Sequence, residues 1–82
     1  MKVIVKQVVS DDWEAIYINN ERVIEDHHVP LYLIFEWVQE LIDLHKDPIT
    51  EISGERYYLN DNYAEECGFS KRFSDIPEDM FE

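Results

Sequence analysis

Two acids and two adjacent histidines form the run Glu25-Asp26-His27-His28, which comes closer than any other part of the chain to a metal-site composition. Neutral imidazole and carboxylate are ligands that zinc accepts. Neighbouring residues of a strand point to opposite faces of a sheet, however, so His27 and His28 cannot both bind one ion from a strand. The HExxH spacing, which puts two histidines on one side of a helix, is absent. We therefore expect this run to be structural, at the start of a helix, and we predict no metal and no cofactor.

The other residues that could do chemistry are arranged less favourably. Asp11 and Asp12, with Glu14 close by, are of the type that glycosidases pair as general acid and base, but they sit in a turn before a strand, where no pocket is implied. Cys67, the only cysteine, lacks the positive surroundings that activate a nucleophilic thiol. With two glycines, the chain has no glycine-rich loop for phosphate. We therefore predict that the protein is not an enzyme.

Charge is the strongest signal in the composition. The 82 residues include 19 Asp and Glu against 7 Lys and Arg, which gives a net charge of -12. Such a surface repels nucleic acid and anionic membranes, and it attracts basic partners or cations. The alternative is that the acidity only keeps a small protein in solution.

The acids are densest in the C-terminal part, where residues 47–82 carry ten acids and three bases. A folded array of carboxylates can imitate the phosphates of a duplex, which carries one charge per about 1.7 Å of its axis. We therefore predict that a basic host protein, either a defence protein or a nucleic-acid-binding protein, contacts this part. The acids predicted to bind it are Asp47, Glu51, Glu55, Asp61, Glu65, Glu66, Asp75, Glu78 and Asp79. For any one of them, the alternative is a solvated surface residue.

The N-terminal half has the pattern of strands. Residues 2–9 and 13–18 are rich in β-branched and aromatic residues and predict two strands. Asn19-Asn20 lies where a two-residue hairpin turn needs positive φ angles, which Asn tolerates better than most residues. Residues 21–27 then predict a third strand, antiparallel to the second.

A helix is predicted over residues 30–46, because the proline of Val29-Pro30 suits the first helical turn. Its apolar positions cover about 200° of arc, whereas about 100° suffices to pack a helix against a core. The surplus around Leu33, Trp37 and Leu44 therefore predicts an apolar interface that needs a second cover. That cover is either the C-terminal segment of the same chain or a second copy or other partner. The aromatic residues available in the C-terminal segment are Tyr57, Tyr58, Phe69, Phe73 and Phe81.

The C-terminal half predicts one more strand and one short helix. Residues 49–59 are extended, with a bend or bulge at Ser53-Gly54, and Asn60-Asp61 caps a helix that Gly68 ends. The tail is irregular with aromatic anchors. The order β-β-β-α-β-α predicts a single α+β domain over residues 1–82. We expect a small antiparallel sheet of three to four strands packed on one long amphipathic helix, with a short second helix near the C-terminus.

Several absences bear on the compartment. No stretch approaches the ~20 apolar residues of a membrane span, and the N-terminus lacks the pattern of a signal peptide. One cysteine forms no internal disulfide, which fits a reducing compartment. We therefore expect a cytoplasmic protein that contacts neither membrane nor nucleic acid directly.

Three short motifs carry a resemblance that spans most of the chain. They are W-E-x-x-Y-x-N (Trp13, Glu14, Tyr17, Asn19), H-x-x-P-L before the helix (His27 or His28, Pro30, Leu31) and the closing Pro77, Glu78 and Asp79. The H-x-x-P-L spacing fits His27, since His28 lies one place nearer to the proline. In these motifs the chain resembles small acidic proteins encoded by bacteriophages and other mobile elements of bacteria. The resemblance implies the setting of inhibitors of host defence, including acidic mimics of nucleic acid, and no binding residues.

Three functions remain open. The first is an acidic inhibitor that binds a basic host protein, and the second is a structural or regulatory homodimer that uses the surplus apolar surface. The third is a protein that sequesters a small molecule or nucleotide. Its candidates for stacking on a base are Trp13, Tyr57 and Tyr58, and its candidates for binding an anion are Arg22, Arg56, Lys71 and Arg72.

Overall fold

The computed structural model describes residues 2–45 and 49–82. Its elements are β1 (Lys2–Ser10), β2 (Trp13–Ile18), β3 (Glu21–Asp26), α1 (Leu31–His45), β4 (Glu51–Tyr58) and α2 (Asp61–Cys67), followed by 3₁₀ turns at Phe73–Asp75 and Glu78–Met80. The predicted α+β class is confirmed, with a four-stranded sheet and two helices.

The sheet is mixed, with the strand order β3-β2-β1-β4. β2 is antiparallel to both of its neighbours, whereas β4 runs parallel to β1. The prediction of an antiparallel sheet is therefore wrong for the fourth strand. The cause is the crossover through α1, which returns the chain to the end of the sheet where β1 begins, so that Glu51 pairs with Lys2.

The turn between β2 and β3 is the predicted two-residue hairpin. Asn19 and Asn20 have φ angles of 49° and 76°, and Ile18 pairs with Glu21 across the turn. Asn enters this left-handed region at lower cost than most residues. The turn that the sequence predicts here is therefore confirmed.

Of the two features predicted as alternatives at Ser53-Gly54, a bend or a bulge, the bulge is absent from β4. The register between β1 and β4 continues without a shift past Ser53-Gly54. The register shift of this sheet lies instead between Ile16 and Tyr17 of β2, opposite β3.

Alternation along the strands divides the core into two layers. The layer on the α1 face consists of Val3, Val5, Ile16, Ile18, Val29 and Val38. The layer on the other face consists of Val8, Ala15, Tyr17, Leu59, Phe69 and Ile76. The sheet is therefore covered on both faces.

The chain after β4 covers the face that α1 does not. Phe73 and Phe81 stack with ring centroids 5.2 Å apart, and the Tyr57 ring lies 4.9 Å from that of Phe73. These aromatic residues lie on the face opposite α1 and do not cover its surplus apolar surface, so they do not provide the intrachain cover, one of the two alternatives left open by the sequence. Only Tyr58 lies on the α1 face, by alternation with Tyr57, and half of it is exposed.

The apolar surface of α1 is only partly covered. Among its described side chains Val38 alone is buried, while Ile34 and Trp37 are half-buried against the core. Phe35 and Leu44 are 62% and 75% exposed. The predicted long amphipathic helix is therefore not shown, because only part of the apolar side of α1 packs on the sheet. Within the described ranges, no helix combines the length and the hydropathy that a membrane crossing requires.

The short helix α2 has the predicted caps. The Asn60 side chain accepts a hydrogen bond from the backbone N–H of Tyr63 at 3.1 Å. At the other end Gly68, with φ 69°, donates its N–H to the carbonyl of Ala64 at 2.9 Å. Both contacts satisfy backbone groups that a helix end leaves without partners.

Candidate functional site

An acid-lined cavity of about 290 Å³ lies at the end of the sheet where β1 turns into β2. The described residues that line it are Ser10, Asp11, Asp12, Trp13, Glu25, Asp61, Ala64, Glu65, Gly68 and Phe69. They include carboxylates from the turn, from β3 and from α2, but no Lys, Arg or His. This concentration of negative charge around an indole ring is the most distinctive site that the structure contains.

The turn between β1 and β2 carries two of the acids. Ser10 pairs with Trp13, so Asp11 and Asp12 form a two-residue turn, in which Asp11 has a φ angle of 51°. The predicted turn is confirmed. The sequence implied no pocket beside it, but α2 packs next to the turn and a cavity lies there.

A hydrogen bond fixes α2 against the sheet at this point. The hydroxyl of Ser10, a residue that is 5% exposed, donates to Asp61 Oδ1 at 2.7 Å. Glu65 lies four positions after Asp61 and therefore faces the same side of the helix. One buried serine thus holds two carboxylates of α2 towards the cavity.

The two histidines lie beside this region, and each is close to a different carboxylate. The His27 and Trp13 rings pack in a T-shaped arrangement, with centroids 4.4 Å apart and an angle of 73° between the ring planes, and His27 Nδ1 is 3.8 Å from a carboxylate oxygen of Asp12. His28 Nδ1 is 3.9 Å from Glu14 Oε2. Across the described part of the chain, no three His, Cys, Asp or Glu side chains meet in an arrangement that could hold a metal ion.

One of the cavity acids pairs with an arginine. Arg22 Nη1 lies 3.8 Å from Glu25 Oε1, and the same nitrogen donates a hydrogen bond to the carbonyl of Phe69. For Asp11, Asp61 and Glu65, no ion pair to Lys or Arg is found within the described residues. Most of the negative charge at the cavity is therefore not compensated.

Such a cavity suits the head of a cation. Carboxylates attract and hydrogen-bond an ammonium or a guanidinium group, and the face of a tryptophan ring attracts a cation within about 6 Å of its centroid. The same carboxylates repel an anionic nucleotide. This argues against the hypothesis that a nucleotide base stacks on Trp13. The arrangement therefore favours a Lys or Arg side chain, or a small amine.

The acids predicted to bind a partner are spread over several elements. Asp47 lies outside the described residues. On β4, Lys2 Nζ is 3.9 Å from Glu51 Oε2, and the Tyr57 hydroxyl donates to Glu55 Oε2 at 2.5 Å. That hydrogen bond to the carboxylate raises the pKa of Tyr57.

The remaining predicted acids follow β4. Asp61, Glu65 and Glu66 lie on α2, Asp75 lies in the first 3₁₀ turn, and Glu78 and Asp79 lie in the second. All six are exposed. Of the predicted set, the cavity brings together only Asp61 and Glu65.

The predicted apolar interface is divided by the way α1 lies on the sheet. Trp37 and Leu44 line an open groove of about 390 Å³ beside α1, whose other wall includes Ile18 and Val23. Leu33 is half-buried and is not among the described lining residues. The three residues therefore do not form one continuous surface around this groove.

No protein-family model, curated protein or solved structure matches the chain. The resemblance to small acidic proteins of bacteriophages therefore stays a prediction. What can be said about the site comes from its geometry.

Several cavity residues were not singled out as members of one site from the sequence. The predicted hairpin signals that Asp12, Trp13 and the end of the third strand share one end of the sheet. Nothing local signals that α2 arrives at that end, since its position depends on the parallel placement of β4. Glu25 and Phe69 therefore become neighbours only in the folded chain.

Proposed function

We propose that this chain is a small acidic protein-binding module that takes a Lys or Arg side chain of a basic partner into the cavity beside Trp13. The observation that supports this proposal is the group of carboxylates around the indole, with no Lys or Arg among the described lining residues. A partner rich in basic residues gains a defined contact there as well as general attraction to a chain with a net charge of -12.

The energies involved predict a weak contact for a single side chain. An exposed cation–π contact contributes about 0.5–1 kcal/mol, and an exposed ion pair contributes about 0.2–1 kcal/mol. Together they amount to about 0.7–2 kcal/mol, which corresponds to a dissociation constant of roughly 30–300 mM for one basic group. Higher affinity needs further basic residues, which the acids of α2 and of the 3₁₀ turns can contact.

The wider form of the proposal concerns nucleic-acid-binding proteins of a bacterial host. A basic surface that binds phosphates also binds carboxylates, so a chain that occupies this surface inhibits its owner. In this form the protein acts as a phage-type inhibitor and a mimic of nucleic acid. Support comes from the charge, from the cavity and from the resemblance in the sequence.

The experiment for the cavity is a nuclear magnetic resonance titration with an amidated Gly-Arg-Gly peptide. The indole N–H signals of Trp13 and Trp37 report separately on the cavity and on the groove beside α1. We expect the Trp13 signal to shift and the Trp37 signal to stay. A Gly-citrulline-Gly peptide of the same shape lacks the charge and should leave both signals in place.

Matched variants then test where the cation binds. Asp12→Asn with Glu65→Gln removes two charges from the cavity, and Asp75→Asn with Glu78→Gln removes two charges from the 3₁₀ turns. We expect the first pair to weaken binding roughly fivefold or more, and the second pair to weaken it less, because Asp75 and Glu78 are exposed and do not line the cavity, and exposed charges are screened by salt. Equal effects of the two pairs would mean that attraction is only general, and the proposed site would be abandoned.

The inhibitor form is tested by capture from a bacterial lysate, followed by elution with duplex DNA. Release of a nucleic-acid-binding protein by the duplex, at a salt concentration that alone releases nothing, is the expected result. Failure of DNA to release the captured protein would remove the mimic from the proposal while leaving the cavity contact to the peptide experiment.

A further inference from the structure

The outer edge of β4 is open along part of its length. β4 is an edge strand of the sheet, and Leu59, just after it, pairs antiparallel with Phe81. Among the described residues, no backbone hydrogen bond reaches the outer edge over residues 51–56. The C-terminal residues therefore close the last part of this edge and leave the first part free.

The free backbone groups belong to alternate residues. The N–H of Leu59 donates inward to Val9, and the carbonyl of Tyr58 points outward and accepts from the N–H of Glu82 at 2.7 Å. In a parallel pair, successive residues alternate between the two sides. The outward N–H and C=O groups of the open edge are therefore those of Ile52, Gly54 and Arg56.

An apolar groove adjoins this open edge on the α1 face. It has a volume of about 370 Å³, and its lining includes Val5, Ile34, Ile52 and Gly54. A Cβ placed on Gly54 would meet nothing within 4 Å, so the absence of a side chain keeps the groove open. Ile52 is 54% exposed. An exposed strand edge next to exposed apolar side chains is a template for pairing with another strand.

We propose that a second copy of this chain pairs with this edge, β4 against β4 and antiparallel, with Gly54 on the two-fold axis. The charges of the strand select this register. Ile52 then lies opposite Arg56 of the second copy, Ser53 lies opposite Glu55, and Glu51 lies opposite Tyr57. No like charges stand directly opposite each other, which is the condition for a stable cross-strand pair.

The neighbouring symmetric registers place acids against acids. Shifting the second copy along β4 in one direction places Glu51 of each copy opposite Glu55 of the other. Shifting it in the other direction places Glu55 of one copy opposite Glu55 of the other. The second of these also requires the carbonyl of Tyr58, which Glu82 already occupies. The pairing therefore extends over residues 52–56 and joins two four-stranded sheets into one.

This dimer leaves the acidic cavity free, since the cavity lies beside the β1–β2 turn and not at β4. Its salt dependence is opposite to that of cavity binding. Two chains of charge -12 repel each other, so salt strengthens the dimer by screening, whereas salt weakens the binding of a cation. The two proposals can therefore fail separately.

The first test is sedimentation equilibrium of the full chain at low and high salt. We expect a dimer that becomes stronger with salt. Ile52→Lys sets two lysines opposite two arginines and should raise the dissociation constant roughly tenfold, since like charges opposite each other destabilise a strand pair. Leu44→Lys is the matched control, because Leu44 is also exposed but lies in the groove on the β3 side of α1.

Cysteine cross-linking tests the register, in a Cys67→Ser background that removes the exposed native thiol. Gly54→Cys places two thiols across the axis, where Cα atoms of a hydrogen-bonded pair are about 5.5 Å apart, within disulfide reach. Ile52→Cys places them roughly 13 Å apart along the strands. We expect a disulfide dimer from the first variant only.

Three results would overturn the proposal. They are a chain that stays monomeric at about 1 mM in high salt, a dimer that Leu44→Lys weakens as much as Ile52→Lys, and equal cross-linking of the two cysteine variants. Thermal unfolding of each variant shows whether the monomer is still folded.

Discussion

The Ser10 hydroxyl donates a hydrogen bond to Asp61 Oδ1 at 2.7 Å, and this contact joins the end of β1 to the first residue of α2. Both residues line the acidic cavity. The serine is buried and the aspartate is exposed, so one residue serves the packing of α2 while the other presents charge to solvent. Stability and ligand binding should therefore respond differently to changes at the two positions.

Ser10→Ala should lower the free energy of unfolding by about 1 kcal/mol, the usual contribution of one intramolecular hydrogen bond. Asp61→Asn keeps an acceptor oxygen for the serine and removes a charge, so it should change stability less and weaken binding of the arginine peptide more. Urea unfolding measures the first quantity and the peptide titration the second. If Asp61→Asn leaves peptide binding unchanged, Asp61 is not part of the cation site.

Because the phenol of Tyr17 is buried, we predict that the free energy of unfolding falls at alkaline pH. Its side chain is fully buried and its hydroxyl donates to the Ser70 carbonyl at 2.6 Å, and burial raises its pKa from 10.0 to about 12. Between these values the folded chain keeps a proton that the unfolded chain has lost. The raised pKa of Tyr17 therefore contributes on the order of 2 kcal/mol to the free energy of unfolding below pH 10. This contribution is lost as the pH rises to 12.

Urea unfolding at intervals from pH 8 to pH 12 measures this effect, and Tyr17→Phe is the control. The variant loses a hydrogen bond, which costs about 1 kcal/mol at neutral pH, but it has no phenol to ionise. The difference between the two proteins should therefore shrink as the pH rises above 10 and change sign before pH 12, because the loss of about 2 kcal/mol exceeds the roughly 1 kcal/mol hydrogen bond. Parallel pH profiles would show that the Tyr17 phenol is not what limits stability at high pH.

The two glycines should respond in opposite ways to alanine. Gly68 ends α2 with φ 69° and ψ -164°, a region that residues with a Cβ almost never occupy, so Gly68→Ala should cost about 1–3 kcal/mol. Gly54 lies in β4 with open space where a Cβ would stand, so Gly54→Ala should stabilise the monomer by about 0.5 kcal/mol through the unfolded chain. Midpoints of urea unfolding at low protein concentration check both values. Equal losses would mean that the backbone at Gly68 is not strained by a Cβ.

Much of the local structure follows from short stretches of the sequence. The Asn19-Asn20 turn, the Asn60 cap and the Gly68 end of α2 each depend on a few adjacent residues, and the structure has all three. The expectation of a bulge at Ser53-Gly54 fails because a glycine weakens a strand without forcing a register shift.

Only part of the candidate site could be predicted from short stretches of the sequence. The sequence predicted the turn that carries Asp11 and Asp12, and it placed the acids of α2 in an acidic C-terminal segment. Their meeting around Trp13 requires Ser10 and Asp61 to come together, which no local pattern encodes.

By itself, the sequence determined the excess of negative charge, the places of the strands and helices, and the residues of their turns and caps. These depend on composition and on the steric preferences of neighbouring residues. Only the tertiary structure decided that β4 runs parallel to β1, that the C-terminal aromatics cover the face opposite α1, and that the cavity acids converge. The physical reason is that both faces of the sheet must be buried at once, and how the chain does this depends on contacts between residues far apart in sequence.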